Sequence, residues 1–148
     1  MNKFNSRKIE ADGMKFDSRK EYMRWNELCL LQKAGKIRNL QCQVKYILIP
    51  AQTEIIEVYS PKTGNRLKDK EITLEKECSY VADFVYERPV TMEKRYYSNG
   101  EHGTMEVVCG METVVEDVKG YKKGAAYALF VVKRKLMLQE YGIKVREI

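Results

Sequence analysis

The sequence predicts one α/β or α+β sandwich of 148 residues, and three observations carry that expectation. A helical apolar stripe follows a capping signal at Ser18. Alternating apolar and polar residues occupy most of the stretch from Ile37 to Asp117, and a second helical pattern followed by IKVREI closes the chain. Helix, several strands, helix and strand in that order do not make a bundle. An apolar share of 44% is enough for one core. The charged share of 32% predicts long polar faces rather than disorder, because aromatic and β-branched residues recur throughout.

In IEADGMKFDSRKE, Asp12-Gly13 separates two half-apolar pieces as a hairpin turn would. Ser18 with Glu21 three residues on is a capping box, and Phe16 is placed to staple the entry against Tyr22 or Trp25. The helix is expected to run to about Ala34-Gly35, with Tyr22, Trp25, Leu28 and Cys29 facing the core. From Ile37 to Ile49, Leu40, Cys42, Val44, Tyr46 and Leu48 alternate with polar residues as in a strand that Pro50 ends. TEIIEVY reads as another strand, and the polar stretch at about 59–76 as an excursion. CSYVADFVYE reads as a strand with Val81, Asp83 and Val85 on one face and Tyr80, Ala82, Phe84 and Tyr86 on the other. A second excursion at about 87–104 is read as a hairpin with Asn99-Gly100 at its end. MEVVCGMETVVEDVKG supplies one or two further strands. A helix from about Gly124 to Tyr141 is expected to show Tyr127, Phe130, Val131 and Leu138 to the core and to stop at Gly142.

The net charge of +6 is unevenly placed. Residues 1–50 hold eleven Lys/Arg against five Asp/Glu, residues 51–118 eight against fourteen, and residues 119–148 eight against two. Two basic ends around an acidic middle suit a polyanion-binding surface built about a carboxylate cluster; the same distribution also fits solvated faces without a ligand. Cys29, Cys42, Cys78 and Cys109 form no Cys-x-x-Cys pair, so neither a zinc knuckle nor a disulfide framework is signalled, and they read as reduced core thiols. MNKFNSRKIE has no apolar signal core, and the longest apolar run, AAYALFVV, is far too short to span a bilayer. A soluble protein of the cytoplasm, with no membrane partner, is expected.

TVVEDVKG places two acids and a lysine in a β-prone segment. Alternate side chains share a face, so Asp117 and Lys119 project together and Glu116 faces away. If the Asp83 strand pairs beside this one, two carboxylates and a lysine converge at one end of a sheet. Carboxylate oxygens of that kind suit Mg²⁺, which keeps waters for a substrate and a nucleophile. The same residues also fit an edge-strand ion pair, and the capping box alone accounts for Glu21.

The order Glu21, Asp83 and Asp117-x-Lys119 resembles the P-D-(D/E)-x-K nuclease superfamily, which includes Holliday-junction resolvases and many restriction endonucleases. KFDSRKE, YVADFVY, VVEDVKG and KRKLML…YGIKVREI, in that order, are more closely similar to a family of small phage and prophage proteins assigned to that superfamily. The resemblance implies a restriction-endonuclease-like α/β core, with a mixed central sheet of four to five strands flanked by helices. It implies hydrolysis of DNA phosphodiester bonds with Mg²⁺ or Mn²⁺. Asp83, Asp117 and the carbonyl of Val118 would be metal ligands, Lys119 the catalytic lysine, and Glu21 the helix-borne acid completing the site. The chain departs from the name-giving pattern in having Ala82 where the proline stands and Asp at 117.

Lys122, Lys123, Lys133, Arg134 and Lys135 follow the motif and are candidates for phosphate contacts, or else a solvated helix face. Gln41 and Gln43 lie on a polar strand face that is open to the site or merely exposed. His102 has no second ligand in sequence, and no glycine-rich phosphate loop is present. The expected activity is a structure-selective endonuclease acting on branched or Holliday-junction DNA, because a chain this short has little mass for reading bases. Paired cuts imply a homodimer. The alternative is a non-catalytic nucleic-acid-binding or phage packaging accessory protein that keeps the fold.

Overall fold

The computed structural model describes residues 8–11 and 13–148. β1 (Ile9–Ala11) and β2 (Met14–Phe16) form a small antiparallel hairpin in which Ala11 pairs with Met14. Gly13 has φ 75°, the left-handed conformation such a two-residue turn needs; Asp12, the other expected turn residue, lies outside the described residues.

Helix α1 (Arg19–Lys33) starts where the capping box predicts. Ser18 is the N-cap, and its hydroxyl accepts from the Glu21 N–H at 3.2 Å. The box is not reciprocal, because the Glu21 carboxylate takes the N–H of Asp17 at 2.6 Å instead of that of Ser18. Phe16 packs on both expected aromatics, with ring centroids 5.6 Å from Tyr22 and 6.2 Å from Trp25. Gly35, at φ 70°, follows the Ala34 C-cap and ends the helix.

The central sheet has the order β3-β6-β7-β8, from β3 (Arg38–Ile49), β6 (Cys78–Ser98), β7 (Glu101–Asp117) and β8 (Arg146–Glu147). β3, β6 and β7 pair antiparallel and β8 joins β7 in parallel, so the sheet is mixed. The parallel addition requires a crossover, which helix α2 (Ala125–Tyr141) supplies. Glycines frame that helix: Gly124 at its N-cap, and Gly142 in the left-handed region at its C-cap.

Successive side chains of a strand face opposite sides, so β7 locates both layers. Val114 packs with Leu28 of α1, whereas Val115 packs with Phe130 and Met137 of α2. The helices therefore cover opposite faces of one sheet. Leu28, Val115 and Met137 are fully enclosed, and truncating Leu28 to Ala would cost about 2–5 kcal/mol. On α2 the buried position is Met137 rather than the expected Leu138, which is 53% exposed, because the helix turns Phe130 and Met137 toward Tyr80 and Val115. None of the four cysteines is in a disulfide, but Cys109 is exposed and is not a core thiol.

The first expected excursion is a loop that runs into a strand, and the second is a hairpin. β5 (Lys70–Glu75) pairs antiparallel with β4 (Gln52–Ile56), so the stretch at 59–76 is a loop, bridged once between Tyr59 and Arg66, and the return strand of a separate two-stranded sheet. The stretch at 87–104 is the continuation of β6 into β7, closed by Asn99-Gly100 with both residues at positive φ. Pairing with β3 ends at Glu87, so Pro89 falls where its missing N–H costs no bond to β3. The paired ribbon from Arg88 to Ser98 extends about 35 Å with solvent on both faces. Its residues 87–112 carry three cations and five acids. No described helix is long and apolar enough to cross a membrane.

The pleat of the sheet reverses at the level of Asp83. Tyr80 and Ala82 of β6 pack on the α2 side, but Phe84 and Tyr86 pack on the α1 side. On β3, Cys42 packs on the α1 side and Val44 on the α2 side, so the change of face occurs at the same level in both strands. Gln43 has φ 54° there, and Asp83 lies opposite it. The expectation that Tyr80, Ala82, Phe84 and Tyr86 share one face is thus corrected. A left-handed residue in mid-strand reverses the alternation that strict period two assumes.

Candidate active site

An open cleft of about 430 Å³ lies between the α2 face of the sheet and the helix, and Gln43, Asp83, Asp117, Lys119, Phe130 and Lys133 border it. Three elements bring acids together here. Asp117 ends β7 and Asp83 stands at the change of face in β6, and their carboxyls lie within hydrogen-bonding reach of each other. Glu21, in the first turn of α1, comes within the same reach of Asp83 from the other side of the sheet. Asp83 therefore meets one acid from each face, which a regular strand residue does not do. Glu21 itself is buried and does not border the cleft.

Each carboxylate has a defined partner. Asp83 Oδ2 accepts the N–H of Val118 at 2.7 Å, and Gln43 Nε2 stands 3.5 Å from Oδ1. Asp117 Oδ2 accepts from the Tyr80 hydroxyl at 3.2 Å, while Oδ1 pairs with Lys119 Nζ at 2.9 Å. The Lys119 ammonium also lies 4.2 Å from the centroid of the Phe130 ring, a cation–π contact. Val118 thus meets the cluster through its N–H.

The electrostatics follow from burial and crowding. Burial pushes the Asp117 carboxyl up to about 6, and the adjacent Asp83 adds to the rise while Lys119 opposes it. Burial likewise raises Asp83; its bonds with Asp117 and Val118 oppose the rise, and the charge of Glu21 adds to it. Burial and the Asp117 charge push the Tyr80 phenol far up, so it remains a donor. Three acids with one lysine leave a net negative cluster in a low-dielectric setting, which a cation or a proton relieves.

Glu116 has a different role. It is fully buried on the α1 side, held by Arg24 through Nε and Nη2 at 2.8 Å each and by the Tyr86 hydroxyl at 2.7 Å. Burial alone would raise its carboxyl, but the Arg24 and Tyr86 bonds keep it below its ordinary value. It faces away from Asp117, as the strand period predicts.

The five basic candidates do not share one surface. Lys133 borders the cleft. Arg134 and Lys122 both pair with Glu147 of β8, the latter at 3.2 Å. Lys135 lines a separate pocket with Arg134 and Lys144, and Lys123 is exposed in the loop before α2. Sequence reasoning missed Lys20, whose ammonium donates to the carbonyls of Lys119 at 3.3 Å and Ile148 at 2.6 Å. It also missed Tyr80, whose only signal was its place three residues before Asp83.

Among the described residues, no group of three or more His, Cys, Asp or Glu side chains is arranged as a ready metal cage. The donor chemistry nonetheless fits a hard divalent cation. Mg²⁺ binds through one or two carboxylates and keeps its remaining positions for water and phosphate oxygen, and two crowded carboxyls at an open cleft meet that need. A family model described as "Protein of unknown function (DUF1064)" matches residues 1–146. No curated protein and no solved structure matches the chain.

Proposed function

We propose that this chain, which belongs to the DUF1064 family, is a metal-dependent DNA endonuclease with a restriction-endonuclease-like core. The observation that carries the reading is the meeting of Asp83, Asp117 and Lys119, from two neighbouring strands, at an open cleft that Lys133 also borders. The element order α1, three antiparallel strands, α2 and a parallel last strand supports the same reading.

Asp83 and Asp117 would hold Mg²⁺ or Mn²⁺, with Glu21 behind Asp83 adding negative charge to the site. When bound, the cation supplies Lewis-acid polarisation of the phosphate and lowers the pKa of water beside it. The chain's own groups do the rest. Lys119, once it exchanges Asp117 for a phosphate oxygen, neutralises charge that develops on phosphorus. Tyr80 keeps Asp117 Oδ2 fixed while that exchange occurs. Lys20 and the terminal strand hold the Lys119 backbone. Lys133 gives the scissile strand a cationic contact across the cleft.

The acidic balance of the long β6–β7 ribbon argues against that arm as a DNA clamp, so cationic contacts concentrate on the α2 side. Recognition by shape and backbone charge favours branched DNA, and paired cuts of a four-way junction would need a homodimer. One observation favours the non-catalytic alternative: Lys119 is already paired with Asp117, as a purely structural edge pair would be.

Incubation of purified protein with junction, nicked, single-stranded and duplex DNA in Mg²⁺ or Mn²⁺ separates the readings. Cleavage of junction DNA that Lys119→Ala abolishes without loss of binding supports the nuclease. Intact DNA of every form in both metals sinks it.

A further inference from the structure

Gln43 combines three features found together nowhere else in the central sheet. Its backbone is left-handed at φ 54° within β3, a region that side chains other than Gly, Asn and Asp rarely occupy. It stands opposite Asp83, at the level where both strands exchange faces. Its amide nitrogen is 3.5 Å from Asp83 Oδ1, and the residue borders the cleft. Strain of this kind persists only where the surroundings impose it, and it concentrates at functional sites.

The geometry points to Gln43 as a positioning residue for Asp83. Without the reversal, Asp83 would sit on one face of β6 and meet acids from that face alone. With it, Asp83 lies at the crossing, where Glu21 approaches from the α1 layer and Asp117 from the α2 layer. The amide of Gln43 then restrains Oδ1 while the Val118 N–H takes Oδ2, so the two oxygens of Asp83 are oriented from β3 and from the residue that follows β7. Backbone and side chain of one residue thus do two separable things. The left-handed turn places Asp83, and the amide fixes its carboxylate plane. The catalytic consequence rests on the nuclease reading; the positioning itself does not.

Three substitutions separate the parts. Gln43→Gly keeps the left-handed backbone at no steric cost and removes the amide; Gln43→Ala removes the amide and disfavours the turn; Gln43→Val disfavours the turn more strongly. The amide proton of Val118, bonded to Asp83 Oδ2, is a reporter readable by nuclear magnetic resonance without any substrate. The Val118 signal is expected to move upfield and exchange faster in the order Gly, Ala, Val. In cleavage assays kcat should fall in the same order, roughly ten- to a hundredfold for Val, with KM little changed, as for a misplaced reacting group. Gln43→Gly should unfold at a temperature no lower than wild type, which shows that the losses are not simple destabilisation. An unchanged Val118 amide in all three folded variants overturns the proposal, whatever the cleavage result. A Val118 amide perturbed in the variants, beside wild-type protein that never cuts DNA, keeps the positioning role and instead rejects the nuclease.

Discussion

Arg24 and Glu116 face each other across the α1 layer with two parallel hydrogen bonds of 2.8 Å, directly behind the strand that carries Asp117. The pair keeps an acid ionised at zero exposure, and Arg146 adds a weaker contact at 3.8 Å. Removing one partner leaves a buried charge unmatched, so Arg24→Ala should lower the unfolding free energy by about 3–5 kcal/mol in urea titration. Glu116→Gln should cost less, because Tyr86 can still donate to it. Equal losses for the two would mean that the buried charge is not the cause.

Asp117 should make the protein less stable as pH rises through mildly acidic values. Its folded carboxyl titrates near 6 against an ordinary 3.8, so between those values the native state binds more protons than the unfolded one. Stability is then fully present below about pH 4, falls as pH climbs to about 6 and levels off above, a loss of about 3 kcal/mol. Asp117→Asn should flatten this window. Mn²⁺ should raise the melting temperature at pH 7.5 and do so hardly at all at pH 4.5, where protonation has already relieved the crowding. Equal Mn²⁺ shifts at both pH values would count against Asp117 as a ligand.

The Tyr80 hydroxyl donates to Asp117 Oδ2 at 3.2 Å. Tyr80→Phe keeps the ring against Phe130 and deletes that donor, so the Asp117 carboxyl should titrate higher still, with a stability loss of about 1–3 kcal/mol at pH 7. Carbon-13 titration of the Asp117 carboxyl reads the first effect directly.

Neighbouring cations on α2 should behave differently. Lys133→Ala, at the cleft, should weaken DNA binding and reduce the slope of log K against log salt by about 1 without altering stability. Arg134→Ala removes one of the cations that Glu147 holds, leaving it Lys122 and the Tyr127 hydroxyl, and should lower stability instead. Filter binding across a salt series, beside thermal melts, distinguishes the two.

Local signals made much of this legible. The Ser18 cap, Gly35 and Gly142 bounded both helices, and period two separated Glu116 from Asp117 and Lys119 along β7. Tertiary effects hid the rest. Arg134 finds Glu147 through the crossover, and nothing near Arg134 in sequence announces that contact. The ribbon beyond Glu87 was legible as a hairpin from Asn99-Gly100, but its length was not, because neither of its faces is covered, so its composition is polar and Pro89 is tolerated. Asp83 was legible as an acid in an apolar strand, yet its facing depends on the backbone of Gln43, 40 residues earlier. Alternation alone assigns it to a face; the reversal sets it between two.

The central claim is that Asp83 and Asp117 form a divalent-cation site at this cleft. Soaking crystals in Mn²⁺ at neutral pH and computing anomalous difference density tests it most directly. The account predicts a peak within bonding distance of both carboxylates, with Lys119 drawn off Asp117 Oδ1. Crystals of the same soak that show no peak there, and Lys119 still paired with Asp117, would contradict it.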